Sequence, residues 1–573
     1  MSDRDRCKPE QVMTGRTPHV KLKSLRSKWL YVSLGAVAAL GLGVVAGVLI
    51  PRSEPSTAAS LPGSDAPSSH PFIGARGDTA PLPFGRQGLL LNSLKASQGY
   101  TLLAPMSSKF AYLLDMDGRI VNSWKGDTIA MNCCLLENGN LLRLGQLERS
   151  ADPNPAAPHV GVVQEYTWDG ELVWDYKLIS NTQMPTHDLC KLPNGNLLMI
   201  VWEHKSINEA LNAGRNPDTM DKDADHLVSD CILEIEPTGK TTGKIVWEWH
   251  AWNHLIQSQY DKRANYGEVA AHPELIDLNF VGNNLGSMMA KREELERLRA
   301  IGYVGDGGQY QKQVPGTPVW LHTNSIAYNA ELDQIMLSVY EFSEIWMIDH
   351  STTTDEAEGH QGGRYGKGGD LLYRWGNPRT YGAGTVKDQT LFGQHNAHWI
   401  PGGLPGEGHV LIFNNGIGRL GGSYSSVDEI VLPVDDEGRY AQPKGKSFGP
   451  DKAVWRYAAN KRSDFYAAVM SGAQRLPNGN TLVCSGPDGL IFEVTPDAEI
   501  VWQYLHAETV EGRDQALHYP GAPPQMMPGM GHGGGVFRAP RYAPDYPGLT
   551  GRQLVPGKTV GQAWQAMMPD APG

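Results

Sequence analysis

The stretch GKIVWEW at residues 243–249 has five relatives elsewhere in the chain, and together these six phrases decide the fold. Each joins a polar or glycine start to a short apolar run and ends on an aromatic residue. The other five are GRIVNSW (118–124), GELVWDY (170–176), GDLLYRW (369–375), DKAVWRY (451–457) and AEIVWQY (498–504). Short β-branched runs that end on aromatic side chains are typical of β-strands. Six copies of one strand phrase predict six copies of one structural unit.

A turn signal lies between these phrases. It reads ENGN at 137–140 and PNGN at 193–196 and 477–480, with looser forms at 328–334 and 401–408. Asn-Gly predicts a type I′ hairpin, because both central residues of that turn need positive φ. Further alternating strands include CILEIEP (231–237), SEIWMID (343–349) and LIFEVTP (490–496). Four strands per unit predict an all-β, six-bladed β-propeller over residues 86–510, with one or more β-sandwiches as the alternative.

Two features interrupt this repeat. An insertion at about 250–316 follows the third phrase, and MMAKREELERLRAIG (288–302) within it predicts a helix that either covers the ring or decorates its surface. Blade one lacks an obvious inner strand, so residues 86–97 or a returning C-terminal segment are expected to close the ring. Residues 511–573, rich in Met, Pro and Gly, are predicted to form a tail that wraps the ring or stays mobile.

Counting back from the turn signal locates equivalent positions in the strand that precedes it. Six residues ahead of the turn, five successive units place Met131, His187, His322, His395 and Ser471. This position begins the strand that leads into the hairpin, which in a propeller lies nearest the central axis. Equivalent positions around a ring lie at similar heights, so we expect the three histidines to converge at one mouth of the channel.

Three convergent imidazoles have two chemical interpretations besides ordinary packing. Three histidine ligands with an open fourth position suit zinc, and a metal-free site can use one imidazole as nucleophile with acid–base partners. A second set lies in and near the insertion and fits either a metal or lid site or plain loop histidines: His226, His250, His254 and His272.

The strands around the axial histidines carry three motifs. These are MPTHDLCKLPNGN (184–196), GTPVWLHTNSIAYN (316–329) and FGQHNAHWIP (392–401). Together they resemble the bacterial arylsulfotransferase family, the PAPS-independent aryl-sulfate sulfotransferases, over roughly residues 95–510. The resemblance implies a six-bladed propeller, in agreement with the repeat. It also implies transfer of a sulfuryl group from a phenolic sulfate to a phenol through a sulfated histidine, with ping-pong kinetics and no cofactor.

The resemblance assigns roles by position. His395 in QHNA becomes the nucleophile, His322 and Asn324 in HTNS a second histidine and an amide donor, and His187 in THDL a further catalytic histidine. The family's active-site arginine falls at Tyr340 in MLSVYEFSE (336–344), which removes a fixed positive charge.

The expected substrate-binding residues are therefore Asn324, Tyr340 and Ser471, and no metal ligand is expected. Arg374 and Arg419 are candidates for the missing charge. Two other functions stay open, the first because of the missing arginine and the second because of the three histidines. One is a non-catalytic, membrane-anchored propeller that binds or scaffolds a ligand, and the other is a metal-dependent hydrolase or lyase that uses the axial histidines.

Charge is divided unevenly along the 573 residues. The net charge is −12, yet the first 51 residues hold eight basic and three acidic side chains, so the rest carries −17. An acidic body argues against nonspecific binding to nucleic acid. Gly and Pro make up about 18% of the chain, which indicates a folded protein with many turns. The six cysteines form neither a disulfide framework nor a zinc signature, and the oligomeric state is not predicted.

Residues 30–50 (LYVSLGAVAALGLGVVAGVLI) contain no charge and are long enough to cross a membrane. All eight basic residues of the N-terminal stretch precede them, so residues 1–29 are predicted as a cytoplasmic tail and 30–50 as a signal anchor rather than a cleaved signal peptide. Residues 51–85, rich in Ser, Pro and Ala, are then a linker. The propeller is expected on the periplasmic side of the inner membrane, held by this single helix.

Overall fold

The repeated strand phrases build a ring of sheets. A computed structural model describes residues 87–567 except 107, 147–159, 179, 181, 221–223, 283–318, 443–444 and 507–534. In this part of the chain six antiparallel sheets form the blades of a β-propeller, which confirms the predicted fold class for the ring. The predicted helix at 288–302 and the predicted membrane span at 30–50 lie outside the described residues. None of the helices that are described is long and apolar enough to cross a membrane.

Blades two to six run outward from the channel in chain order, as do the first three strands of blade one, and β1 (Gly88–Asn92) precedes them. Blade one contains β2 (Tyr100–Leu103), β3 (Phe110–Leu114) and β4 (Ile120–Lys125). Blade two contains β5 (Ala130–Leu135), β6 (Leu141–Gln146), β7 (Val160–Tyr166) and β8 (Leu172–Lys177). Blade three contains β9 (Gln183–Lys191), β10 (Leu197–Ser206), β11 (His226–Gly239) and β12 (Thr242–His250). A parallel pair in the insertion comprises β13 (Leu255–Ile256) and β14 (Ile276–Asp277).

Blades four to six follow the same plan. Blade four contains β15 (Thr323–Asn329), β16 (Gln334–Val339), β17 (Glu344–Asp349) and β18 (Tyr373–Trp375). Blade five contains β19 (His395–Trp399), β20 (Val410–Asn414), β21 (Ser426–Ile430) and β22 (Trp455–Tyr457). Blade six contains β23 (Gly472–Arg475), β24 (Thr481–Ser485), β25 (Leu490–Val494) and β26 (Ile500–Leu505). The described helices are short: α1 (Ile207–Asn212), α2 (Thr354–Ala357) and α3 (Val560–Met567).

Both ends of the described chain close the ring. A last strand, β27 (Arg541–Tyr542), pairs with β2 as the innermost strand of blade one, and β1 adds a fifth strand to the outer edge of blade six. A Cβ on Gly99 would lie 2.5 Å from the Tyr542 carbonyl oxygen, so only glycine permits this pairing. The predicted closure by a returning C-terminal segment is thus confirmed, and β27 extends the propeller beyond its predicted end at residue 510.

The tryptophans of the repeated phrase join neighbouring blades. The six phrases form the fourth strands β4, β8, β12, β18, β22 and β26. In each, an indole N–H donates to a main-chain carbonyl of the next blade, at 2.7–3.2 Å: Trp124 to Thr167, Trp174 to Thr242, Trp249 to Gly369, Trp375 to Pro450, Trp455 to Pro496 and Trp502 to Met116. The last of these joins blade six to blade one. The sequence repeat is thus a ring of hydrogen bonds between blades.

The predicted hairpins are present, but their predicted turn type is wrong. Positive φ occurs only at the glycines, at 84° for Gly139, 91° for Gly195 and 88° for Gly479, whereas type I′ needs two such residues. The asparagine before each glycine instead accepts, through its side-chain oxygen, the main-chain N–H two residues on, as Asn194 does from Asn196 at 2.9 Å. This side-chain bond stabilises the turn without a second positive φ.

One histidine bridges blades three and four through two carboxylates. His350 places Nδ1 2.7 Å from Asp333 Oδ1 and Nε2 2.9 Å from Glu234 Oε2. Burial alone would lower the pKa of His350, but the two carboxylates raise it to about 9. The imidazole is therefore charged at neutral pH and holds the two blades together.

Candidate active site

Four of the six innermost strands are bulged at or just after the shared repeat position. The strand register shifts at this point in the pairs β5/β6, β9/β10, β15/β16 and β19/β20. His187 and His322 take left-handed φ values of 50° and 58°, and Asn396, next to His395, takes 52°. Bulges redirect side chains, and left-handed φ is strained for residues other than glycine. Strained backbone therefore recurs at the level of the ring where the histidines lie.

The three predicted histidines lie in one cluster. The ring centroids of His187 and His322 are 4.6 Å apart, and the Tyr340 ring contacts both His322 and His395, at 5.3 and 5.5 Å. All four side chains are buried, with at most 4% of each residue exposed. The structure thus brings together four of the six site residues predicted from the sequence.

His395 is held by bonds to both ring nitrogens. Its Nδ1 lies 2.8 Å from Asn415 Oδ1, and its Nε2 accepts the Met470 N–H at 3.2 Å. Asn415 cannot turn over, because its amide nitrogen donates to the carbonyls of Ala467 and Met470 at 2.7 and 3.1 Å. Its oxygen therefore faces His395, which places the ring proton on Nδ1 and the lone pair on Nε2.

The imidazoles of the cluster are neutral in the resting protein. Burial lowers the pKa of His322 to about 4. Burial is the main reason why the pKa of His395 is lowered to about 3. The hydrogen bond to Asn415 raises this pKa and the neighbouring His322 and Arg538 lower it, but each has a smaller effect than burial. Burial and the neighbouring charges of His322, His395 and Arg538 hold the pKa of His187 well below its usual 6.5. A neutral imidazole keeps the lone pair that a nucleophile or general base needs.

One nitrogen of His187 has no hydrogen-bond partner among the described residues. Its Nδ1 lies 2.6 Å from the Thr186 hydroxyl, while its buried Nε2 meets no donor or acceptor in that part of the chain. When the hydroxyl donates to Nδ1, Nε2 carries the proton and is a donor without an acceptor. An orphaned buried donor at a cluster of this kind is a candidate contact for an anionic ligand.

The other two predicted site residues bond to main-chain atoms. The Asn324 amide nitrogen donates to the Gln394 carbonyl at 2.8 Å and so joins blades four and five. Its buried amide oxygen has no hydrogen-bond partner among the described residues. The Ser471 hydroxyl donates to the Val469 carbonyl at 3.2 Å and accepts the Gly486 N–H at 3.0 Å. A role of either residue in substrate binding stays a prediction.

Neither arginine suggested from the sequence joins the cluster. Arg374 is fully buried against Glu344 at 2.6 Å, and Arg419 donates to Ser426 at 2.6 Å in blade five. Arg538, from the segment that leads into β27, supplies the nearby charge. It pairs with Asp188 at 2.7 Å and donates to the Asn324 main-chain oxygen at 3.3 Å. The Arg538 guanidinium thus binds Asp188, the residue that follows His187 in β9.

Apolar side chains surround the imidazoles. The buried cluster that contains Tyr340 also includes Met106, Met131, Ile417, Met470 and Phe537. A cavity of about 240 Å³ lies further along the channel, lined among others by Asp188, Asn396, His398 and Arg538. The histidine cluster is therefore buried among aromatic and thioether side chains.

Sequence reasoning missed three partners of the cluster: Asn415, the Met470 main-chain N–H and Arg538. Asn415 lies just after β20, and no repeat position marks it. Met470 directly precedes Ser471, which holds the shared position in blade six. The residue that contacts His395 is Met470 and not Ser471. Arg538 lies in the segment that we took for a tail.

The axial histidines do not form a metal-ligand group. In the described part of the chain, two sets bring three possible ligand atoms within 4.8 Å of one another: Glu203, Cys231 and His250, and His254, His360 and Asp370. His250 and His254, from the second histidine set, thus enter two different groups, while His226 and His272 pair with Asp225 and Glu274.

Comparison with known proteins agrees with the geometry. The arylsulfotransferase (ASST) family model matches residues 90–512. Arylsulfate sulfotransferase AssT of Escherichia coli O6:H1 is 24% identical over 338 residues, which are 58% of this chain and 50% of that protein. The AssT of Lelliottia amnigena is 23% identical over 339 residues, with the same shares. The chain therefore spans about half the length of the curated relatives it matches.

A solved structure from Bacteroides caccae, of unknown function, is 10% identical with a TM-score of 0.36, and the match covers 77% of this chain and 98% of that one. That likeness is too weak to carry an argument. The family match, in contrast, includes strands of all six blades, and it contains His187, His322 and His395 with their motifs. The chain belongs to the arylsulfotransferase (ASST) family.

Proposed function

We propose that this protein transfers a sulfuryl group from an aryl sulfate to a phenol, with His395 as the residue that is sulfated in between. One observation carries the proposal beyond family membership. Asn415 holds the His395 proton on Nδ1, which leaves the Nε2 lone pair on a neutral, buried imidazole. That is the state in which imidazole is nucleophilic.

In the first half-reaction the Nε2 lone pair of His395 forms a bond to sulfur. The bond from sulfur to the phenolic oxygen breaks, and the phenolate leaves with that electron pair. The Met470 N–H, 3.2 Å from Nε2, loses this contact as sulfur approaches and becomes a donor for a sulfuryl oxygen. The sulfated ring carries positive charge, so its Nδ1–H bond to Asn415 strengthens.

In the second half-reaction the oxygen of the acceptor phenol attacks sulfur. The bond between sulfur and Nε2 breaks, and its electron pair returns to His395. The phenol proton passes to His322, which is neutral at rest and can accept it. The anionic sulfate raises the pKa of nearby imidazoles, so His322 can return this proton to a basic phenolate in the reverse direction.

The sulfuryl oxygens need positive partners in a protein with a net charge of −12. Three groups of the cluster are suited to this: the His187 Nε2–H, the Tyr340 hydroxyl and the Arg538 guanidinium. Because Asp188 partly neutralises Arg538, the hydrogen-bond donors supply more of the stabilisation than net charge does.

The test is incubation with p-nitrophenyl sulfate, followed by intact mass measurement. We expect a sulfuryl adduct that maps to His395, is discharged by phenol, and is lost in His395→Ala. His398→Ala is the matched control, since His398 lies on the same strand but lines the cavity rather than the cluster. Nitrophenol release that survives His395→Ala would contradict the nucleophile assignment.

A non-catalytic binding propeller is the second candidate, because Tyr340 occupies the place of the family arginine. It predicts saturable binding of aryl sulfates without an adduct. The metal-dependent alternative has less support, because the axial histidines are not among the ligand groups found in the described residues.

For the N-terminus we propose a single-pass anchor at 30–50 with the propeller in the periplasm, on the basis of the uncharged run and the basic residues before it. Protease added to spheroplasts should then degrade the propeller, whereas a cytoplasmic propeller would survive.

A further inference from the structure

Two histidines converge on one carboxylate oxygen at the base of the insertion. His254 Nδ1 lies 2.8 Å and His360 Nδ1 2.7 Å from Asp370 Oδ1. The two rings are nearly perpendicular, at 85°. This trio lies outside the axial cluster and is not used in the proposed transfer reaction.

The second nitrogen of His254 defines its protonation. Nε2 lies 2.9 Å from the Ala357 carbonyl oxygen, which can only accept, so Nε2 carries a hydrogen. Nδ1 of His254 therefore faces the Asp370 carboxylate, and the His254 side chain has no exposed surface. The ligand atoms of His254, His360 and Asp370 all lie within 4.8 Å of one another, close enough to share one metal ion. A backbone carbonyl on the far nitrogen is the usual arrangement for a metal-binding histidine.

The chain holds these ligands in place. Helix α2 fixes the Ala357 carbonyl, and its N-terminus is closed by reciprocal bonds between Thr353 and Glu356. A Cβ on Gly369 would lie 2.1 Å from the Ala357 oxygen and 2.5 Å from His254 Nε2, so only glycine fits beside the ligand. The Trp249 ring stacks parallel to His254 at 5.7 Å.

One side of the group faces open space. The His360 side chain is 60% exposed and lines a cavity of about 480 Å³, together with Trp252, Asn253, Tyr266 and His272. A metal ion could enter here, and water could complete its coordination.

We propose that His254, His360 and Asp370 bind a divalent transition metal, zinc by preference, that ties the insertion to the loop before β18. Two imidazoles and one carboxylate with a water suit zinc, and imidazole ligands disfavour calcium and magnesium. The other group, Glu203, Cys231 and His250, carries no such proposal. Lys205 lies 3.1 Å from Glu203 and already supplies a positive charge there, and burial raises the pKa of the Cys231 thiol well above its usual value.

The test uses the full-length protein in detergent, stripped with EDTA and titrated with Zn²⁺ by calorimetry. We expect one site, and Co²⁺ in its place should give the visible absorption of tetrahedral coordination. His360→Ala should weaken zinc binding at least tenfold, and because His360 is exposed this variant should fold. His409→Ala, which removes a histidine paired with Glu429 in blade five, should bind as the unaltered protein does.

Zinc binding weaker than about 10 µM, or binding that is unchanged in His360→Ala, would overturn the proposal and leave a proton shared by the trio. The same variant separates this metal from one at the axial histidines, because zinc retained in His360→Ala would belong elsewhere. Neither measurement requires sulfuryl transfer, so the site stands or fails independently of the proposed function.

Discussion

Replacing Asn415 with alanine should separate the chemical role of this residue from its structural role. Asn415 makes three buried side-chain hydrogen bonds, of which one holds the His395 proton on Nδ1. Its neighbour Asn414 also makes three, to the Phe392 N–H, the Thr390 carbonyl and Asp428, and none of them reaches His395. At about 1 kcal/mol net per bond, each alanine variant should lose about 3 kcal/mol of unfolding free energy.

The catalytic difference follows from the charge on the sulfated ring. A neutral hydrogen bond contributes about 1 kcal/mol and one to a charged group about 1.5–3 kcal/mol, so the Asn415 bond gains about 0.5–2 kcal/mol as His395 becomes cationic. Asn415→Ala should therefore lower kcat by about 2- to 30-fold more than Asn414→Ala.

Two assays check this expectation. Single-turnover release of nitrophenol from p-nitrophenyl sulfate measures the transfer step, and ¹⁵N NMR of the histidine rings reports which His395 nitrogen carries the proton. Equal losses of kcat in the Asn414 and Asn415 variants would refute the proposed role. So would an Nδ1–H tautomer that persists at His395 in Asn415→Ala, even where the protein proves inactive with this donor.

Three further outcomes are expected. The pKa of His350 is raised from 6.5 to about 9, so its stabilisation is complete below about pH 6.5 and lost as pH rises through about 9. His350→Gln should therefore remove about 3 kcal/mol of pH-dependent unfolding free energy, measured by urea denaturation across this range. Arg538→Met leaves Asp188 buried without its partner and should cost about 3–5 kcal/mol in thermal or urea unfolding, and adding Asp188→Asn should restore most of it. Tyr340→Phe keeps the ring contacts of the cluster but removes the hydroxyl, and should raise KM or lower kcat for the sulfate donor by about tenfold in steady-state assays; an unchanged rate would exclude sulfate binding by this hydroxyl.

Local pattern was a reliable guide where the structure is itself repeated. The six aromatic phrases predicted six four-stranded blades, and spacing from the turn predicted that His187, His322 and His395 converge. The same reasoning does not extend to side-chain partners. Asn324 and Ser471 bond to main-chain atoms that their strand positions did not indicate, because backbone register does not determine the partner a polar side chain finds.

The sequence by itself determined the number of blades, the strand that lines the channel and the level at which the histidines lie. These depend on strand periodicity and turn spacing, which are local. Only the tertiary structure decided which groups surround the histidines. Closing the ring brings Arg538 to Asp188 across 350 residues, and folding of the insertion brings His254 to Asp370 across 116. Contacts of this kind arise from the closure of the whole ring, and no short stretch of sequence carries their signal.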